Sequence, residues 1–224
     1  MALTPALVVL VHGANHGAWC WSEVIHRLES RGHDSTAVDL PLTSFDDDVD
    51  AVRSAIAAAG ERPVIVVAHS YAGLVVSAGA HDTDGLLFIA ARMPSPTRAP
   101  AVDPASWQSP EFQSAMIRRQ DGALVFAGDP AVLYNTTPRA VAADAASRLR
   151  PMYSSVPERP IPNPAWMTVP STYVVCKQDR VIAVAAQRAM AARADRVFEI
   201  ESDHSPFLSA PDEITDIVCG RILR

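Results

Sequence analysis

Ser70, Asp179 and His204 lie far apart in this 224-residue chain, yet each falls in a loop that follows a run read as a strand. A serine hydroxyl is a poor nucleophile near neutral pH. It needs a base within hydrogen-bond reach and a third group that fixes the tautomer of that base. The run Val64-Ile-Val-Val-Ala-His stops at Ser70-Tyr-Ala-Gly and continues as an apolar helix, with Ala68 and Ala72 small enough for a sharp strand-to-helix turn. Taken alone, Ser70 reads equally well as a helix N-cap. A fourth loop, His12-Gly-Ala-Asn-His-Gly17, also follows a strand, and its glycines let backbone N–H groups face the space above the sheet edge. Four strand-end loops on one sheet edge bring together a serine, an aspartate, a histidine and backbone donors, the parts needed for nucleophilic catalysis by Ser70.

The elements that must hold these loops can be read in order. Strands are expected at 6–11, 36–39, 64–69, 85–90, 171–176 and 196–200, and helices at 19–30, 46–60, 71–80, 181–193 and 209–223. This alternation predicts an α/β fold with a doubly wound, mainly parallel sheet of about six strands flanked by helices, with ligands beyond the carboxyl ends of the strands. The division expected is a core of residues 1–91 and 170–224 and an inserted cap or lid of residues 92–169. That segment is proline-rich, shows no strand signals and has weak helical patterns at 111–119 and 139–149.

Composition narrows the class. The net charge is −6 and the basic residues are scattered arginines, which argues against nucleic acid or an anionic membrane as partner. Cys20, Cys176 and Cys219 are far apart in apolar surroundings and read as buried free thiols; no metal spacing is present and no cofactor is expected. No apolar run approaches membrane-spanning length, and the first eleven residues lack a signal pattern, so a soluble, cytoplasmic chain acting on a small molecule is expected. A homodimer is compatible with this composition.

The order Ser, Asp, His is that of α/β-hydrolases and differs from trypsin-like and subtilisin-like proteases. The segments VLVHGANHGAWCW, AHSYAG, VVCKQDRVIAVAAQ and EIESDHSPFLSAPDEI resemble the methylesterase and hydroxynitrile-lyase group of compact α/β-hydrolases over essentially the whole chain, weakly in 92–169. The resemblance implies Ser70 as nucleophile, His204 as base and then acid, Asp179 as its orienter, and the backbone N–H groups of Ala14 and Tyr71 as the oxyanion hole. It implies cleavage of small carboxylic esters through an acyl-enzyme. Lyase members carry Thr at the position of Gly13 and Lys after the histidine; this chain has Gly13 and Ser205, which favours ester hydrolysis. The alternatives are carbon–carbon bond cleavage by the same triad and a small-ligand receptor on a hydrolase scaffold.

Other residues near these loops have plainer readings. Asp203 rivals Asp179, but adjacent residues seldom point at one another, so Asp179 leads. His12 and His16 are expected to be structural imidazoles bonded to backbone, and His69 a packing residue. Asp39 is expected to cap, and one of Trp19 and Trp21 to pack under the serine turn. His26, His33 and His81 are expected on the surface. Candidate substrate contacts are His16 and the aromatics Trp107, Phe126, Tyr134 and Trp166.

Overall fold

Alternate residues of the apolar runs leave the backbone on opposite sides, and this period of two builds a layered molecule. The computed structural model describes residues 5–98, 107–158 and 160–222. Residues 1–4 and 223–224 of the expected core, and residues 99–106 and 159 of the expected lid, lie outside the described residues. In chain order the elements are β1 (Leu7–Val11), α1 (Ser22–Ser30), β2 (Ser35–Val38), α2 (Phe45–Ala57), β3 (Val64–His69), α3 (Ala72–Gly79), β4 (Gly85–Ile89) and α4 (Pro110–Ala115). There follow β5 (Met116–Arg118), β6 (Leu124–Phe126), α5 (Arg139–Ser147), β7 (Ser171–Cys176), α6 (Val184–Ala191), β8 (Arg196–Ile200), α7 (Pro206–Ser209) and α8 (Pro211–Ile222).

The main sheet has six strands in the order β2-β1-β3-β4-β7-β8, and every pairing is parallel. Val9, Val11, Val66, Phe88 and Val175 enter one apolar cluster with α2 and α3, while Val8, Leu10, Val67, Leu87 and Val174 enter another with α1 and α8. Each such fully buried aliphatic side chain contributes about 1.5–3 kcal/mol. Both faces of the inner strands β1, β3, β4 and β7 are covered, which explains why these read as apolar runs, whereas the edge strand β8 is exposed over 196–199. Among the described residues, no helix is long and apolar enough to cross a membrane. Cys20, Cys176 and Cys219 are free and buried.

Four elements depart from the sequence expectation, each for a local reason. The stretch 19–30 is divided, with a 3₁₀ turn at Ala18–Trp21 before α1. The helix expected at 111–119 ends at Ala115, and Met116–Arg118 instead pairs antiparallel with Leu124–Phe126, so the segment expected to lack strands holds a hairpin. The helix expected from Val181 starts at Val184 because Asp179 Oδ1 accepts the N–H groups of Val181 and Ile182, at 2.6 and 3.0 Å. The loop expected between β8 and the closing helix holds a further helical turn, α7, and the closing helix itself, α8, begins at Pro211, a residue suited to a first helical turn.

Candidate active site

β3 delivers Ser70 with φ = 53°, the left-handed backbone of a sharp turn, and α3 begins two residues later. The turn is pinned on the main chain: Ser70 O accepts from Gly73 N at 3.1 Å and from Arg92 N at 3.0 Å. Gly73 marks a close backbone approach in this turn. A Cβ on Gly73 would lie 2.3 Å from the Arg92 carbonyl oxygen, so α3 is pressed against the chain leaving β4.

The three residues predicted from opposite ends of the chain meet. His204 Nε2 is 3.0 Å from Ser70 Oγ, and its Nδ1 is 2.7 Å from Asp179 Oδ2. His204 is buried, the Asp179 side chain is fully so, and Ser70 is partly exposed. Gln187 on α6, which the sequence reading passed over inside an alanine-rich helix, donates from Nε2 to Asp179 Oδ2 at 2.8 Å. Four donors therefore converge on Asp179: Val181 N, Ile182 N, Gln187 and His204 Nδ1. Asp203 faces elsewhere. Its carboxylate accepts from Thr136 N, Thr137 N, Thr137 Oγ1, Ser205 N and Ser209 Oγ, which ties the histidine loop to the segment before α5.

Ala14 and Tyr71 both line a cavity beside Ser70, and among the described residues neither backbone N–H is given to a protein acceptor. The cavity measures about 440 Å³, within the range of small-ligand sites. Its apolar lining includes Trp107, Phe112, Met116, Leu124 and Met152, and its polar lining includes Arg92, Arg118, Ser154 and Glu158. The Arg92 guanidinium lies 4.1 Å from the Trp107 ring centre, and burial lowers its pKa to about 10. A second chamber, of about 20 Å³, also reaches Ser70 and is lined by Ala14, Asn15, His16, His69, Phe112, Phe126, Leu133 and His204. His204 lines this chamber and not the larger cavity.

Of the candidate substrate contacts, Trp107 faces the cavity, and Phe126 and His16 face the small chamber. Tyr134 and Trp166 line neither. Tyr134 is buried and donates its hydroxyl to His16 Nε2 at 2.9 Å, and Trp166 packs onto the apolar cluster under α2 and α3. Aromatic content singled out the segment but carried no direction for its side chains. Asn15, with φ = 60°, donates from its amide to Leu124 O and Arg150 O at 2.9 Å each, which fastens the glycine loop to that segment.

The buried histidines outside the triad, His12, His16 and His69, are held by hydrogen bonds. His16 Nδ1 donates to Ala14 O and its Nε2 accepts from Tyr134; burial drives its pKa down to about 3. His12 Nδ1 donates to Gly13 O, and its Nε2 accepts from Leu40 N. The Asp39 carboxyl lies 3.5 Å from His12 Nε2, caps Ala18 N and meets Arg150, and these neighbours hold its pKa down to about 2. His69 does more than pack: its Nε2 donates to the His204 backbone carbonyl at 2.8 Å, and burial pushes its pKa well below the usual range. Trp21 is buried against Phe207, with ring centres 5.1 Å apart, while Trp19 stacks on His16. His26 and His81 are exposed and His33 is half-buried.

His16 and His69 make the fold acid-sensitive. The unfolded chain takes up protons on both as pH falls through about 6.5, whereas the folded chain keeps both neutral, so stability falls with falling pH. Between about pH 7 and about pH 5, His16 alone should remove about 2 kcal/mol, and His69 acts in the same direction. Urea unfolding at the two pH values measures this, and equal stabilities would contradict it.

A sequence model described as "Alpha/beta hydrolase family" matches residues 8–217. The chain belongs to the alpha/beta hydrolase family. Among relatives of this hydrolase, "Methylesterase 7" of Arabidopsis thaliana is 31% identical, with 92% of each chain covered. "Methyl jasmonate esterase 1" of Vitis vinifera is 30% identical, with 91% of each covered. The crystal structure of the methylesterase MES16 from Arabidopsis superposes with a TM-score of 0.77 at 22% identity, covering 97% of this chain and 99% of that one, a likeness of fold. The hydrolase thus sits in the methylesterase-like group that its motifs resemble.

Proposed function

We propose that this ester-cleaving hydrolase uses Ser70 as nucleophile, His204 as general base and then acid, and Asp179 to hold the His204 tautomer. The observation that carries the reading is the unbroken chain of contacts from Ser70 Oγ to His204 at 3.0 Å and on to Asp179 at 2.7 Å. In the first step Ser70 Oγ attacks the ester carbon and its proton passes to His204 Nε2. The carbonyl oxygen, now an oxyanion, is taken by the N–H groups of Ala14 and Tyr71, a device that typically supplies a few kcal/mol of transition-state stabilisation. His204 returns the proton to the departing alkoxide, and the alcohol leaves an acyl-enzyme. Water, activated by His204, attacks the acyl carbon; the free acid is released and Ser70 recovers its hydrogen.

The leaving oxygen must lie beside His204 to receive its proton, and His204 lines only the chamber of about 20 Å³. That space suits a water or an alcohol as small as methanol. The larger cavity of about 440 Å³ then takes the acid part. The names of the relatives, a methylesterase and a methyl jasmonate esterase, support the same assignment. The segment between β4 and β7 serves as the lid, since it supplies the apolar wall of that cavity. Cyanohydrin lysis is disfavoured. A side chain on Gly13 would meet the His69 ring and Ser70 Cβ at 2.8 Å each, and the buried Ser205 provides no cation for a departing cyanide.

A fluorophosphonate probe should label the protein at Ser70 alone, and nitrophenyl acetate should give a burst of one acyl group per chain. The rate should rise with pH as His204 loses its proton. Peptide mapping that finds no label on Ser70 would favour a receptor on a hydrolase scaffold.

A further inference from the structure

A buried carboxylate behind the cavity wall lies outside the proposed triad. Asp48, in the first turn of α2, is 0% exposed. Its Oδ1 accepts the Leu42 N–H at 2.8 Å, and its Oδ2 accepts two hydroxyl hydrogens, from Tyr71 at 2.8 Å and from Ser154 at 2.7 Å. Leu42 holds the other half of this arrangement. Its carbonyl accepts the N–H groups of Tyr153 and Ser154, at 2.7 and 3.0 Å.

A hydroxyl has one hydrogen to donate and two lone pairs to accept with. At Ser154 the hydrogen is committed to Asp48, so toward the cavity that Ser154 lines only acceptor capacity remains. The same holds for the Tyr71 hydroxyl. The wall is polar but cannot donate from these two oxygens. A ligand oxygen without a hydrogen gains nothing there and loses its water; a ligand hydroxyl is satisfied. Two arginines, Arg92 and Arg118, line the same cavity against one carboxylate, Glu158, so the balance of charge favours a neutral donor over a cation.

We infer that Ser154 Oγ accepts a hydrogen bond from a hydroxyl on the acid part of the substrate, and that the substrates are esters of hydroxy acids. This rests on the ester-cleaving reading above and specifies its acid half. Asp48 acts through Ser154 as a positioning residue that sets the direction of the bond.

The test uses methyl ω-hydroxyalkanoates, the matching methyl ω-methoxyalkanoates and plain methyl alkanoates over a range of chain lengths. For the native protein, kcat/KM for the hydroxy ester should exceed that for the methoxy ester by about tenfold or more at the length that fits. Ser154→Ala should bring the ratio close to one. Asp48→Asn should invert it. The Leu42 N–H requires the amide oxygen, so the NH2 group faces Ser154 and Tyr71, and their hydrogens turn toward the cavity. A native ratio near one at every length, or a preference that survives Ser154→Ala, overturns the inference. If Asp48→Asn does not fold, Ser154→Ala decides. Calorimetric binding of the same esters to the Ser70→Ala protein gives the comparison without turnover. A hydroxyl preference there, with no ester hydrolysed by the native protein, would remove the ester reading and leave the acceptor site standing.

Discussion

Ser70→Ala should lower kcat on nitrophenyl acetate by on the order of ten-thousandfold or more while the protein stays folded. The Ser70 side chain makes one hydrogen bond, to His204 Nε2. Its loss costs the fold about 1 kcal/mol, because the site is partly open to water. The backbone demand is unchanged, since serine and alanine meet a φ of 53° with similar strain. The turn itself rests on main-chain contacts, Ser70 O with Gly73 N and Arg92 N, which alanine keeps. Thermal unfolding should therefore shift by a few degrees at most. The chemistry has no such reserve, for without Oγ no atom bonds to the acyl carbon. The variant should also lose fluorophosphonate labelling. Retention of more than about a hundredth of native turnover, with purity established, would remove Ser70 from the proposed role.

The parts of this site that were legible in the sequence share one property: a strand end announces them. Parallel strands covered on both faces must be apolar throughout, so β3, β4 and β7 stand out as apolar runs, and the loops after them fall on one edge without any knowledge of contacts. Ser70 and Asp179 were found that way, and His204 by the alternation of helices and strands, which puts the end of the largely exposed β8 on the same edge. β5 and β6 were missed because three-residue, partly exposed strands have no such signature, and Met116–Arg118 continues the helical spacing of α4. Asp48 was hidden by its neighbours. An acidic first turn normally complements a helix dipole, and nothing in the run Asp46-Asp-Asp48 tells which carboxylate turns inward. Gln187 and Ser154 act only through partners far away in sequence, Asp179 and Asp48. Tyr134 and Trp166 fail as substrate contacts for a related reason: a side chain's type was visible, but its direction depends on the packing of a segment with little periodicity.

Asp179→Asn should lower kcat by roughly ten-thousandfold near neutral pH, although the two side chains have nearly the same shape. The argument is one of donors and acceptors. Oδ1 of Asp179 accepts two backbone N–H groups, from Val181 and Ile182, and Oδ2 accepts Gln187 and His204 Nδ1. An asparagine has a single oxygen. Placing it at Oδ2 would set its NH2 group against two buried backbone donors, so the oxygen takes the Oδ1 position and the NH2 group faces His204. Nδ1 must then accept, the ring proton moves to Nε2, and Nε2 can no longer take the proton of Ser70. Fluorophosphonate labelling should slow by a similar factor, since it needs the same base, while the circular dichroism spectrum is unchanged. Asp203→Asn provides the contrast. Its carboxylate accepts five donors from the loop before α5 and from α7, none of them the His204 ring, so that substitution should lower the unfolding midpoint more than it alters the pH at which activity appears. A loss below about tenfold for Asp179→Asn, or a larger kinetic loss for Asp203→Asn, would transfer the orienting role from one aspartate to the other.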